Sequence, residues 1–505
     1  MSSKPAVVIF FNDWKVYPSG VNAGGGESAT LALARALAQL GHRVIACANL
    51  ADGQECSRAG VEFWDFGPTY ALTSIERRLR DIGPYYCVAA TLVHPLLLLR
   101  EHQHCLARLV INHSPSPYAS GLEPSTVMEI VDYMLCVSEA QKKLICSIND
   151  TIEKDRMVVV RNGFSPEIFS YAGPEGRDWN QLVFIGRLEQ AKGIHVLLAT
   201  FGKLKAVLPD LKLSVFGSEG YWPEFSARKG EFTEQFPGLQ FHGKVPQAEL
   251  AAHLRRAGLL VFPSTSFESA GLAVIDAQAS GCPVVGFNVG GVGEYLKDGE
   301  LGLLVKELNA DALYAPMLAL LQNRKLLEEM SRRCATVGRE RPWRVVAEEV
   351  ISHAERAAAK TEAWRRGEIL EFLPESVRRI KRCQGIEIEV LIADHEKAAD
   401  PRTFSDTDLD RALDSEGASA WPHLVKGLRL EKIGSVEKAA EEYSIAARQA
   451  DKDDWQALFK LVAVYADMHD VPQAARCAQE VLQRVPDFPL RKHLEQLIAL
   501  GATRR

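Results

Sequence analysis

Phe262-Pro-Ser-Thr-Ser-Phe-Glu268-Ser-Ala-Gly271-Leu-Ala-Val-Ile-Asp276-Ala-Gln-Ala-Ser-Gly281-Cys-Pro283-Val-Val is the stretch on which the fold of this 505-residue chain turns. An apolar strand, Leu259 to Phe262, runs into a polar loop holding Glu268. A helix follows and carries Asp276 near its start. Gly281 and Pro283 end that helix and lead into a second apolar strand, Val284 to Phe287. Such a unit sets both carboxylates at the carboxyl edge of a parallel sheet, where open α/β sheets bind ligands. Carboxylates repel phosphate but accept strong, charge-assisted hydrogen bonds from hydroxyls. The stretch reads as a grip on the sugar ends of a sugar nucleotide.

Outward from it the same alternation continues. Leu182 to Ile185, Leu211 to Phe216, Leu239 to His242 and Gly302 to Val305 read as further strands, with helices over Gly193 to Leu208 and Gln247 to Ala257. Before a polar linker, Tyr171 to Asn180, an earlier unit has strands at Val7 to Phe11, Arg43 to Ala48, Cys87 to Leu92, Arg108 to Asn112, Tyr133 to Val137 and Met157 to Val160. Ser28 to Leu40 is an amphipathic helix ended by Gly41. Strands alternating with helices predict parallel sheets covered on both faces. Two such units leave a cleft between them, a favoured place for ligands.

Composition excludes several classes. The net charge of −6 offers no basic excess for general nucleic-acid binding. Arg77, Arg78 and Arg80, and Arg324, Lys325, Arg332 and Arg333, are small basic clusters that read as solvated helix faces. The ten cysteines are scattered without a C-x-x-C pair, which suits reduced thiols in a cytoplasmic protein. Met1 to Pro5 runs straight into a strand, so no signal peptide is expected. Leu92 to Leu99 is too short to span a bilayer and contains His94 and Pro95. At most peripheral contact with the membrane inner face is expected.

Gly24-Gly25-Gly26-Glu27 stands just before the helix that starts at Ser28. Glycines let a bound group approach the backbone, and a helix start offers unpaired N–H donors, so a diphosphate is a natural occupant. A flexible loop is the plainer account. Gly186-Arg187-Leu-Glu-Gln-Ala-Lys192-Gly193 follows the first strand of the second unit. Arg187 and Lys192 can neutralise charge growing on a departing nucleoside diphosphate, or be ordinary surface cations. Glu268 can equally be a solvated loop acid, and Asp276 a complement to a helix start. His113, in Asn112-His113-Ser114-Pro115, ends a strand at the ligand edge, although a lone histidine is commonly structural. Ser138-Glu139 reads as a helix N-cap and Asn162-Gly163 as a tight turn. No Asp or His cluster has metal-ligand spacing, so positive side chains replace the cation and no metal or cofactor is expected.

Taken together, these motifs resemble the family 4 glycosyltransferases, retaining enzymes of GT-B fold, over residues 1 to about 356. Their paired acids, with seven residues between, match Glu268 and Asp276, with Gly271 inside the pair. This chain departs in the shorter Asp276, in Ala270 where an aromatic is common, and in Arg161 where proline is common. The resemblance implies two Rossmann-like, doubly wound domains facing a cleft. Residues 1–170 form the acceptor side, with 343–359 crossing back onto it, and 178–342 form the donor side. It implies hexosyl transfer from a UDP- or GDP-linked sugar to a hydroxyl of a glycan, lipid-linked sugar or protein. Arg187, Lys192 and the Gly24, Gly25 and Gly26 amides would hold the diphosphate. Glu268 and His113 would orient the sugar, Asp276 the ribose, and Gly186, Val245, Ala270, Gly271 and Leu272 would line the donor. The loop His242-Gly243-Lys244-Val245 would lie beside the nucleobase, and Gly290-Gly291-Val292-Gly293-Glu294 would form a turn near the donor. A phosphorylase or sugar-nucleotide epimerase could use the same cleft.

Residues 360–420 read as a charged helical connection broken near Asp400-Pro401. In 421–505, Gly427, Leu430, Ala439, Tyr443 and Ala446 have counterparts 35 residues on in Val462, Tyr465, Ala474, Ala478 and Val481, and Pro486 closes the second copy. This resembles tetratricopeptide repeats, one residue longer than their usual period; a plain helical bundle is the rival. Such a tail implies a protein partner, and a scaffold working through it alone is the non-enzymatic alternative.

Overall fold

The apolar runs form two sheets in the computed structural model. It describes residues 4–11, 16–20, 23–65, 75, 78–90, 96, 99, 104–114, 127–128, 131–148, 154–219, 222–365, 420–450, 455–468, 470–485, 491, 494–495 and 497–499. The first sheet contains β1 (Ala6–Phe10), β2 (Val44–Ala48), β3 (Cys56–Arg58), β4 (Val61–Asp65), β5 (Tyr85–Ala90), β6 (Cys105–Asn112), β7 (Tyr133–Cys136) and β8 (Met157–Val159). Their order is β3-β4-β2-β1-β5-β6-β7-β8, parallel apart from the β3/β4 pair. The second contains β9 (Asp178–Ile185), β10 (Lys212–Phe216), β11 (Leu239–Gly243), β12 (Ala257–Phe262), β13 (Val284–Phe287) and β14 (Gly302–Val305), ordered β11-β10-β9-β12-β13-β14 and all parallel.

Both faces are covered, which is why β1 is buried along its whole length. Val7 and Ile9 belong to one core and Ala6, Val8 and Phe10 to another, the period of two that a pleated strand imposes. The helix Gly25–Gln39 packs on the first of these faces. So does the long helix Trp343–Arg365, through Trp343, Val346, Ala347, Val350 and Ala354. The chain leaves and re-enters the first lobe at one place, where Phe164 N–H donates to Arg341 O at 3.2 Å and Trp343 N–H to Phe164 O at 3.0 Å. Gly163 is required there, since a Cβ would lie 2.9 Å from Arg341 O.

Three local expectations are corrected. The first helix begins at Gly25, not Ser28, because the Glu27 carboxylate accepts the Gly24 N–H and caps an earlier turn. The stretch Tyr171 to Asn180 is not all linker: β9 begins at Asp178. Arg177, just before it, is buried, with Nη1 donating to Leu254 O at 3.0 Å and Ala257 O at 2.7 Å. The hairpin β3/β4 has no counterpart in the expected strands: β3 is exposed and carries no apolar run, whereas β4, with Val61, Phe63 and Trp64 buried, has one that the expected set left out.

At the C-terminal end stand the helices Ala420–Lys432, Val436–Gln449, Gln456–Asp467 and Val471–Arg484. Ser435 N–H donates to Leu430 O and Asp470 N–H to Tyr465 O, each at 2.8 Å. Among the residues named from sequence, 366–419 with Asp400-Pro401, Arg77, most of Leu92 to Leu99, and Pro486 lie outside the described residues. Among the described residues no helix is long and apolar enough to cross a membrane.

Candidate active site

Strand order in the second sheet reverses between β9 and β12. Crevices at such switch points, beyond the carboxyl ends of the strands, are where α/β sheets hold ligands. The loop after β9 carries Lys192 and the loop after β12 carries Glu268. Gly193, at φ 70°, lets the first loop close on the second, because a side chain there would overlap Pro263 O. Thr265 N–H donates to Ala191 O at 2.9 Å. The outcome is a contact of 2.5 Å between Lys192 Nζ and Glu268 Oε1. Ser264 Oγ also donates to that oxygen. Glu268 is buried, and its backbone is clamped by Gly291 N–H on its carbonyl at 2.7 Å. The Gly290-Gly291 turn thus supports the Glu268 loop, and a Cβ at Gly290 would overlap Glu268 O.

The first lobe meets this loop. A Cβ on Gly25 would lie 3.7 Å from Leu272 Cδ1 of the second lobe, and one on Gly26 3.4 Å from His113 Cβ. Gly25 and Gly26 occupy the first turn of their helix, where N–H groups lack intrahelical acceptors and anions are favoured. His113 follows β6; its Nε2 is buried and has no hydrogen-bond partner. Burial alone lowers its pKa to about 4, so the ring is neutral.

Other expected residues take less engaged positions. Arg187 is largely exposed and ion-pairs Glu189 at 2.8 Å. A Cβ on Gly186 would lie 3.7 Å from Lys192 Cβ. Gly271 adopts φ 96° as the N-cap of the helix Leu272–Ala279. Ala270 is buried against the first-lobe core, which leaves only its backbone for a ligand. Val245 packs on the second-lobe core. Asp276 is not near the start of its helix: it is the fifth residue of eight, since the helix begins only after Gly271. Desolvation raises its carboxyl to about 8.

Several participants were missed from sequence. Ser269 Oγ donates across the cleft to Ser114 O at 2.8 Å. Glu294 caps the first-lobe helix Glu139–Ile148, accepting N–H from Glu139 at 2.9 Å and Ala140 at 2.7 Å. Lys244, named from sequence only as part of the loop beside the nucleobase, interacts electrostatically with Glu27 of the opposite lobe. Ser264 and Ser269 stood inside the deciding stretch as unexplained hydroxyls, whereas Glu294 looked like part of a turn.

Residues 172–340 match the family model described as glycosyl transferases group 1. The chain is similar to glycogen synthase of Mycobacterium tuberculosis, 27% identical over 224 residues, covering 43% of this chain and 54% of that protein. It is also similar to phosphatidyl-myo-inositol mannosyltransferase of Mycobacterium leprae, 31% identical over 171 residues, covering 34% and 45%. It thus spans about half the length of these curated relatives. Among solved structures it resembles sucrose-phosphate synthase from Thermosynechococcus elongatus, with a TM-score of 0.58 and 17% identity over 70% of this chain and 99% of that one. Anabaena HepE, in complex with UDP and glucose, gives a TM-score of 0.55 and 14% identity over 70% and 100%. These likenesses show the fold, which is GT-B. The stretch that matches the glycosyl transferases group 1 model, residues 172–340, holds β9 to β14 on that fold.

Proposed function

We propose that this protein is a retaining glycosyltransferase that moves a hexosyl group from a nucleotide sugar to an acceptor hydroxyl. The observation that carries the reading is the convergence at one cleft of Lys192 paired with Glu268, the Gly25-Gly26 helix start, and the orphaned ring nitrogen of His113. The names of the curated relatives support hexosyl transfer.

In this mechanism the donor diphosphate lies between the Gly25 and Gly26 amides and the cations Lys192 and Arg187. Charge grows on that diphosphate as the glycosidic bond breaks, and preorganised donors stabilise it more than they stabilise the ground state. Lys192 and Arg187 then fill the place of a metal ion. Glu268 accepts hydrogen bonds from hydroxyls of the sugar, and His113 Nε2 meets another polar group of it. Asp276 takes the ribose hydroxyls. Donors lacking these hydroxyls are turned over more slowly, because each missing hydroxyl forfeits a hydrogen bond to Glu268 or Asp276. The C-terminal helices, whose two turns carry matching hydrogen bonds, are assigned as tetratricopeptide-like hairpins that bring a protein partner to the enzyme. The unbridged cysteines among the described residues suit a reducing, cytoplasmic compartment.

The test is a panel of UDP- and GDP-linked sugars followed by thermal shift and by donor hydrolysis. A nucleotide sugar that raises the melting temperature and is hydrolysed with retained anomeric configuration supports the reading. Binding of no member of the panel, or release of an inverted sugar, overturns it.

A further inference from the structure

We propose that Gln141 is a positioning residue that holds His113 in register with Glu268, so that two lobes meet the donor sugar as one surface. This rests on the transferase reading above and adds a residue to it.

Gln141 lies in the first turn of the helix Glu139–Ile148, where its own N–H donates to Ser138 Oγ at 3.1 Å. The side chain turns inward and is 1% exposed. Its Oε1 accepts the Val137 N–H at 2.9 Å. Its Nε2 stands 3.0 Å from Asn112 O and 2.8 Å from Ser114 O. The orientation of the amide is dictated by chemistry: only the NH₂ end can serve two carbonyls, and only the oxygen can serve an N–H. Both amide hydrogens are therefore spent on the two carbonyls flanking His113.

The same side chain reaches the other lobe. Ser269 Oγ lies 3.4 Å from Gln141 Nε2 and donates to Ser114 O at 2.8 Å. Ser114 O is thus a shared acceptor, bonded by one group from each lobe. Ser269 adjoins Glu268, so the register of Glu268 against His113 passes through one buried amide and one hydroxyl. A misplacement of about 1 Å in such a pair costs on the order of a hundredfold in rate. A glutamine that merely satisfied nearby backbone would affect stability, with catalysis and nucleotide binding following it in proportion.

Gln141→Glu keeps the shape and the bond from Val137. As a carboxylate it cannot donate to either carbonyl; when protonated it donates once. The probes are UDP, GDP, UDP-glucose and GDP-mannose, with affinity read by calorimetry and donor hydrolysis read by kcat and KM on the full chain. With the pair that the wild type binds, Gln141→Glu should lower kcat by about tenfold or more while nucleoside diphosphate affinity stays within about twofold. Its kcat relative to wild type should recover as the pH is lowered and the introduced carboxyl takes up a proton. Ser269→Ala, which removes only the cross-lobe hydroxyl, should show a smaller kcat loss of the same kind. An unchanged kcat in folded Gln141→Glu overturns the proposal, and so does a loss shared equally by kcat, nucleotide affinity and melting temperature. If Gln141→Glu does not fold, an unchanged kcat in Ser269→Ala overturns it. A wild type that binds none of the four probes overturns the transferase reading together with this one. A working wild type beside an unmoved variant overturns this one alone.

Discussion

Lys192 and Glu268, on loops that follow two adjacent strands, meet at 2.5 Å. Each helps to position the other, because the lysine neutralises a buried acid, which Ser264 also holds, and the acid holds the lysine at the sheet switch point. Electrostatic donors of this sort are worth about 100- to 1,000-fold in kcat. Lys192→Met should show that loss in donor hydrolysis, and Glu268→Gln a comparable one. Residues acting as a unit are non-additive. The double variant should be no slower than the slower single; losses that multiply would show two independent roles.

Asp276 yields a pH dependence with a definite sign. Burial raises its carboxyl from 3.8 to about 8, so the folded chain keeps a proton that the unfolded chain releases. Its contribution to stability therefore declines as pH rises between those values. Asp276→Asn should melt above wild type near pH 8, with the difference closing toward pH 3.8. Donor KM in the wild type should fall as the pH rises through about 8, when the ionised carboxylate becomes the stronger acceptor for hydroxyls. A KM profile of the same slope in Asp276→Asn would exclude that role.

His113 works in the opposite sense. Its pKa falls from 6.5 to about 4 on folding, so stability from the neutral ring is complete above 6.5 and lost as pH drops toward 4. His113→Asn should flatten that acid limb in thermal melts. The same variant should reduce donor turnover by about tenfold, the worth of one hydrogen bond, without shifting the pH of half-maximal activity above neutrality. A shift there would make His113 a titrating base.

Glu294 joins the lobes by capping a helix that belongs to the opposite one. Its Oε2 accepts the Glu139 N–H and its Oε1 the Ala140 N–H, and Arg161 stands 3.4 Å from Oε2. Removing a helix N-cap costs about 1 kcal/mol. Because this cap crosses the cleft, Glu294→Ala should also raise the radius of gyration in solution scattering. A lower melting temperature with unchanged scattering would confine the residue to local stability.

The elements were largely legible because hydrophobic periodicity is a local property of the chain. β13 runs over Val284–Phe287 and β14 over Gly302–Val305, where alternating apolar runs placed them. β12 starts two residues earlier than its run, at Ala257, since pairing with β9 extends it. The glycine run was visible too, but its place inside a helical turn was not, because that depends on the reach of one Glu27 carboxylate. Asp276 was visible as a charge; its desolvation was not, since burial is a property of whatever packs around it.

Most of the strands and helices, the two-sheet plan, and the choice of acids and cations at loop ends follow from residue type and spacing; the β3/β4 hairpin does not. Which of them touch was settled in three dimensions. Gln141 is the clearest case. Its partners are carbonyls 27 and 29 residues before it and a hydroxyl 128 residues after it. A backbone carbonyl has no residue identity to read, so a bond to one leaves no trace in the chain until folding brings the two together.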